Sequence, residues 1–224
     1  MTKVLLIRHC RSTANADGVL AGRTPEVALD PAGREQAQRL REELSMLRVA
    51  AAYTSPVLRC RDTARLAGFA GAEVVDGLTE CDYGRWTGAR LADLAREPLW
   101  QHVQSRPGAV RFPGGESMLE MRDRVVAAVR AVVARHAAGE IVAVFSHGDP
   151  IKAALADALG LDFDRFQRID VAPGSASLVD FSDAARPVVQ AINAAVELSR
   201  FVIAGHTPTL GGGDSAGLAP HAIS

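Results

Sequence analysis

Four consecutive apolar residues, Val4 to Ile7, run without a break into Arg8-His9-Cys10-Arg11-Ser12-Thr13-Ala14-Asn15. An apolar run this short, ended by charge, reads as a buried strand. The chain leaving a strand end is where α/β sheets place their ligands. Arg8 and Arg11 offer forked, permanently charged donors that suit a phosphate. An imidazole between them can attack phosphorus and hold it covalently. Taken alone, the stretch could equally be a polar strand end with a surface histidine.

The pattern recurs along the chain. After a loop over residues 12–28, Asp30-Pro31 opens a helix to about Arg48, with Asp30 as N-cap and Pro31 in the first helical position. Val49 to Tyr53 reads as a second strand, and Ser55-Pro56 repeats the helix-start signal for a helix to about Ala67. Glu73 to Val75 is a short third strand. Glycines and prolines break up residues 78–115, with one short helix at about 89–96. A long helix follows from Glu116 to His136, with Met118, Met121, Val125, Val129 and Val132 on one side. Ile141 to Phe145 is a fourth strand, Asp149-Pro150 opens a helix to about Leu159, and residues 177–181 and 187–192 read as a closing hairpin. Strands alternating with helices predict an α/β fold around a mainly parallel sheet. Residues 1–203 read as one domain, and the Gly- and Ala-rich residues 204–224 as a flexible tail.

In such a sheet the ends of the first four strands face one edge. Arg8-His9 and Asn15 come from the first. Ser55-Pro56 and, one helical turn on, Arg59 come from the second. Thr79-Glu80-Cys81-Asp82-Tyr83-Gly84 follow the third, and Ser146-His147-Gly148 the fourth.

These segments resemble, in order, the motifs of the histidine phosphatase superfamily, branch 1, whose fold is shared with cofactor-dependent phosphoglycerate mutases. Arg8-His9 resembles its Arg-His-Gly motif, and Ser55-Pro56 through Arg59, Thr63 and Ala64 its second motif. Glu80 to Gly84 with Trp86-Thr87-Gly88 resembles the acid loop. Pro113-Gly114-Gly115-Glu116-Ser117 resembles the segment before the long helix, and Ser146-His147-Gly148 the second-histidine motif. The resemblance implies a three-layer α/β/α sandwich and a phosphohistidine formed on His9. It implies that Arg8, Arg59 and His147 hold the phosphoryl oxygens, and that Glu80 passes protons to the leaving oxygen and from the incoming water. Asn15, Ser12 and Arg11 are implied substrate contacts. Neither metal nor cofactor is implied. Glu80 must then be protonated when substrate binds, which predicts a raised pKa.

The chain departs from the pattern at three points. Cys10 stands where the family has glycine, Arg11 where it has an acid or glutamine, and Asp149, a candidate N-cap, where glycine is common. Mutases of the family carry an arginine directly after the catalytic glutamate, and this chain has Cys81-Asp82. Hydrolysis of a small phosphomonoester is therefore expected. Phosphoglycerate mutase-type transfer and a catalytically silent phospholigand-binding module are the alternatives. The specificity residues are expected within residues 85–115.

Composition narrows the partners. The 224 residues carry a formal net charge of −1. Nothing in that balance calls for nucleic acid or an anionic membrane. No stretch reaches the length of a membrane span, and a cytoplasmic protein, with a homodimer possible, is expected. Cys10, Cys60 and Cys81 show no disulfide or zinc spacing. Each directly follows a proposed catalytic residue, which raises sensitivity to oxidants or thiol reagents as a hypothesis, beside the plainer reading of small, half-buried packing residues.

Overall fold

The computed structural model describes residues 2–194; the tail expected from residue 204 lies outside them. Six strands, β1 (Lys3–Arg8), β2 (Val49–Thr54), β3 (Glu73–Val74), β4 (Ile141–Ser146), β5 (Ala176–Asp180) and β6 (Val188–Ala194), form one sheet in the order β3-β2-β4-β1-β5-β6. The pairs β1–β4, β2–β4 and β2–β3 are parallel. The pairs β1–β5 and β5–β6 are antiparallel, so the predicted hairpin forms one side of the sheet.

Side chains alternate across a strand, and here the alternation feeds two cores. Val4 and Leu6 of β1, with Val142 and Val144 of β4, face helices α6 (Met118–Ala134) and α7 (Gly148–Ala158). Leu5, Ile7, Ala143 and Phe145 face α2 (Pro31–Ser45) and α3 (Leu58–Leu66). The result is the expected three-layer sandwich. Both faces of β1 are apolar, so alternation alone would not fix its register. The fit of small Ala143 and large Phe145 beside Leu5 and Ile7 supplies what the pattern lacks.

The helix starts are chemically specified. Asp30 Oδ1 accepts from Gly33 N at 2.7 Å, with Pro31 in the first turn. Ser117 and Glu120 form a reciprocal capping box on α6. Such a cap stabilises a helix by about 1 kcal/mol.

Several local expectations are corrected. The loop at 12–28 contains a short helix, α1 (Thr13–Asp17), capped by Ser12. Ser55-Pro56 precedes α3 rather than starting it, and Val57 is the N-cap without a side-chain bond. Asp149 lies inside the first turn of α7, whose N-cap is His147. Residues 78–115 hold two helices, α4 (Leu91–Leu94) and α5 (Pro98–Ser105), instead of one. Trp86 stacks on Trp100, with centroids 6.2 Å apart, and meets Phe112 edge-on, so this segment is packed wall. His136 is half-buried between Tyr53 Oη (2.7 Å) and Glu140 (2.8 Å).

Candidate active site

His9 follows the last residue of β1, and His147 the last of β4. The two strands are neighbours in register, Arg8 opposite Ser146, so both histidines emerge at the same sheet edge. His9 N donates to Ser146 O at 2.9 Å, and the rings stand 5.3 Å apart at 65°.

Hydrogen bonding assigns both tautomers. His9 Nδ1 lies 2.8 Å from Cys10 O. A carbonyl only accepts, so Nδ1 carries the proton and Nε2 keeps its lone pair. His9 Nε2 in turn accepts from Arg59 Nε at 3.1 Å. His147 Nδ1 lies 3.0 Å from Arg59 Nη2, which only donates, so the proton of His147 sits on Nε2 and is given to Ser55 Oγ at 2.8 Å. Burial, and then the Arg59 charge, hold both imidazoles well below the usual histidine range. Both are neutral.

Arg59 is buried, 1% exposed, and links the two rings from α3. Its Nη2 also donates to Gly22 O at 2.7 Å. Gly22 sits at φ +50°, where a Cβ would strike Thr87 Oγ1 at 2.7 Å, so glycine alone presents that carbonyl here. Arg8 Nη1 donates to Val171 O at 2.5 Å. Arg8 Nε and Arg59 Nη1 are buried without a partner among the described residues. An orphaned buried donor costs about 1–3 kcal/mol. Two guanidinium donors in that condition, on the arginines flanking one imidazole, make a site suited to an anion.

Glu80 is buried, with Oε1 accepting from Cys81 N at 2.9 Å and Oε2 4.0 Å from His147 Nδ1. Burial, and next the Asp149 charge, push its carboxyl up to about 7 against the pull of Arg59. Asp149 is held by Tyr83 Oη at 2.8 Å. Sequence reasoning missed the clamp behind Glu80. Arg124 of α6 donates to Gly77 O (2.9 Å), Thr79 O (2.7 Å), Glu80 O (2.9 Å) and Glu116 Oε1 (2.6 Å). Glu116 Oε1 also takes Asp82 N (2.9 Å) and Arg23 Nη2 (2.9 Å), while Arg23 Nε reaches Glu80 O at 2.9 Å. The family-like position of Glu116 was the only signal; nothing in the spacing pointed to Arg23 or Arg124.

The structure thus brings His9, Arg8, Arg59, His147 and Glu80 together. Ser12 and Asn15 are engaged with each other: Asn15 Oδ1 accepts from Ser12 N (3.0 Å) and Oγ (2.8 Å), closing the cap of α1. Arg11 Nε pairs with Asp30 Oδ2 at 2.6 Å, and its backbone N with Gln36. Cys10 packs with Leu29 and Ala37, and its N donates to Thr63 Oγ1 at 3.0 Å. All three cysteines are free and buried. Burial raises every one of these thiols, Cys10 and Cys60 to about 12.

A cleft of about 520 Å³ is lined by Arg23, Pro25, Glu26, Pro56, Val57, Leu58, Arg61 and Thr79, without any of the five clustered residues. No helix among the described residues is long and apolar enough to cross a membrane.

A cage of this kind, two neutral histidines joined by a buried arginine beside a protonatable carboxyl, defines a phosphoryl-handling α/β enzyme. The chain belongs to the histidine phosphatase superfamily, branch 1, whose family model matches residues 4–195, and it is a phosphatase, a hydrolase by class. It is similar to phosphoserine phosphatase 1 of Hydrogenobacter thermophilus, at 31% identity over 92% of this chain and 99% of that protein. It is also similar to an acid phosphatase of Mycobacterium tuberculosis, at 30% identity over 82% of this chain and 89% of that one. A phosphoserine phosphatase mutant of Entamoeba histolytica, solved with phosphoserine, shares the fold, with a TM-score of 0.79 at 22% identity, covering 88% and 100% of the two chains.

Proposed function

We propose that the enzyme hydrolyses small phosphomonoesters in the cytoplasm through a phosphohistidine on Nε2 of His9, without a metal. One observation carries this reading: His9 is neutral, its proton is fixed on Nδ1 by Cys10 O, and its Nε2 lone pair sits among buried guanidinium donors.

Nε2 attacks phosphorus in line and the ester P–O bond breaks. The leaving oxygen takes the proton of Glu80. Arg59 passes its Nε hydrogen bond from the imidazole to a phosphoryl oxygen, while Arg8 Nε, Arg59 Nη1 and His147 offset the charge that moves. A water then gives its proton to the Glu80 carboxylate and attacks phosphorus. The N–P bond breaks, phosphate leaves, and both His9 and Glu80 are restored. Asn15 Nδ2, whose Oδ1 closes the α1 cap, is the remaining neutral donor toward the phosphate. Ser12 and Arg11 act one step back, holding the loop that carries it.

Hydrolysis is favoured over transfer because Cys81, the residue after Glu80, is buried and brings no cation. O-phosphoserine is the first natural ester to test, from the name of the relative that matches nearly end to end. The decisive experiment mixes enzyme and ester for milliseconds and quenches in alkaline denaturant, where phosphohistidine survives. Intact-mass measurement should show one phosphoryl group on wild type and none on His9→Ala. Turnover with no trapped adduct at any time point would refute the mechanism.

A further inference from the structure

We propose that Asp149 is a positioning residue for the acid: anchored by Tyr83, its carboxylate acts by charge on Glu80 and keeps the proton there at the pH where an alkyl phosphate needs it. The inference rests on the hydrolase reading above and adds what sets that enzyme's working range.

Two segments meet at this point, and each carries one reacting group and one partner of a hydrogen bond. Glu80 and, three residues on, Tyr83 belong to the acid loop. His147 and, two residues on, Asp149 belong to the start of α7. Glu80 Oε2 lies 4.0 Å from His147 Nδ1, and Tyr83 Oη donates to Asp149 Oδ2 at 2.8 Å. The Tyr83 anchor is itself fixed, buried with its ring edge-on to Phe112 at 5.0 Å. Gly148, between His147 and Asp149, lies against the Arg8 guanidinium, where a Cβ would stand 3.4 Å from Cζ. Asp149 is thus tied on both sides to the phosphate site, and its charge is felt at Glu80, Arg8, Cys81 and Tyr83.

The groups around Glu80 pull in opposite directions. Arg59 from α3 and Arg8 from β1 favour its ionised form, as does the Cys81 N–H. His9 and His147 are neutral and add no charge. Arg124 and Arg23 meet the Glu80 carbonyl, and Glu116 pairs with both. Burial, before any charge, keeps Tyr83 and Cys81 protonated. Lys152 stands 3.9 Å from Asp149 Oδ1 and bonds Gln167 at 3.1 Å. After burial, Asp149 is the first group to oppose the two guanidiniums, because one carboxylate disfavours another nearby. It occupies the position where the family pattern has an uncharged glycine. An alkoxide leaves poorly without a proton, so this charge extends the enzyme's range toward neutral pH.

The test follows kcat/KM for O-phosphoserine and glycerol 3-phosphate from pH about 5 to about 9, spanning the range in which Glu80 titrates. It compares wild type, Asp149→Asn, Asp149→Glu, Glu80→Gln and the double variant Glu80→Gln/Asp149→Asn. Asparagine keeps an oxygen for Tyr83 and removes only the charge. Asp149→Asn should move the alkaline decline about one pH unit lower, a roughly tenfold loss at pH about 8 and a far smaller one at pH about 5. Asp149→Glu restores the charge and should bring the decline back toward its wild-type position. Without Glu80, the asparagine substitution should leave the pH profile as it was. Titration of the substrate is common to every variant and cancels in the comparison. A merely structural role would lower the rate equally at all pH values. A decline that stays in place in Asp149→Asn, or moves as far in Asp149→Glu, or shifts equally without Glu80, would overturn the proposal with the hydrolase reading intact. No phosphate release from either ester by wild type would instead overturn the hydrolase reading, and the role of Asp149 with it.

Discussion

Arg59 donates its Nε–H to Nε2 of His9, 3.1 Å away, the same nitrogen that has to attack phosphorus. In the resting enzyme the nucleophile's lone pair is therefore occupied by the group that would receive the phosphoryl oxygen. Substrate exchanges one acceptor for another, and the guanidinium need not move far. Arg59→Lys keeps the charge but has no fork to span His9, His147 and Gly22 O together. We expect kcat to fall by about 100-fold or more while the protein stays folded. Steady-state kinetics with far-ultraviolet circular dichroism checks this, and a fall below tenfold would show that charge alone suffices.

The Glu80 carboxyl, pushed up to about 7, gives a signed pH profile. Its protonated form donates to the leaving oxygen, so kcat/KM for alkyl phosphates should decline as pH rises through about 7. His9 and His147, both lowered, are neutral across that window and add no opposing limb near neutrality. Glu80→Gln should abolish the decline. It should also slow alkyl phosphates far more than p-nitrophenyl phosphate, whose phenolate leaves without a proton. Equal slowing of both esters would argue against proton donation by Glu80.

The same groups bear on stability. A carboxyl raised in the fold binds its proton more tightly there than in the unfolded chain. Its contribution is present below the ordinary carboxylate range and is lost as pH rises toward about 7. The depressed histidines act in the opposite direction, costing stability as pH falls below the ordinary imidazole range. Urea midpoints for wild type and Glu80→Gln should diverge above pH about 5, with the variant more stable. Coincident midpoints at pH 7 would contradict the buried-acid assignment.

Arg124 touches no reacting atom, yet it holds three carbonyls of the acid loop, at Gly77, Thr79 and Glu80. Removing it frees the strand of chain that sets where the acid stands. Arg124→Met should lower kcat by roughly tenfold, leave KM for p-nitrophenyl phosphate little changed, and blur or shift the alkaline limb set by Glu80. An unaltered pH profile would mean that the clamp is only structural.

The thiol hypothesis now has a definite expectation. Cys10, Cys60 and Cys81 are buried, and their raised pKa values leave almost no thiolate at neutral pH. Iodoacetamide at neutral pH should label none of them in the native enzyme and leave activity intact, whereas labelling in urea should reach all three.

The sequence-based reading succeeded where apolar runs and caps do the specifying. Val4 to Ile7, Ile141 to Phe145 and the Met118–Val132 stripe are signals of one or two turns' range, and the sheet delivered His9, Arg59, Glu80 and His147 to one edge as their strands required. It failed where a side chain has two possible uses. Ser55 has the chemistry of a cap but gives its oxygen to His147, and Asp149 looks like an N-cap but receives Tyr83. Helix α5 was hidden because Pro98 was read as a loop breaker, though proline is at home in a first turn. The clamp through Arg23, Glu116 and Arg124 joins distant residues by charge, and no periodicity records such a pairing.

The in-register ladder between β1 and β4 has a consequence for how the enzyme would fail under denaturant. The nucleophile and its partner imidazole are fastened to the two middle strands, while the acid sits on an outer loop held largely by the side chains of Arg23, Glu116 and Arg124. Mild stress should cost the enzyme its proton donor first and leave a protein still able to take up a phosphoryl group from an activated ester. Only melting of the whole sheet would part the two rings.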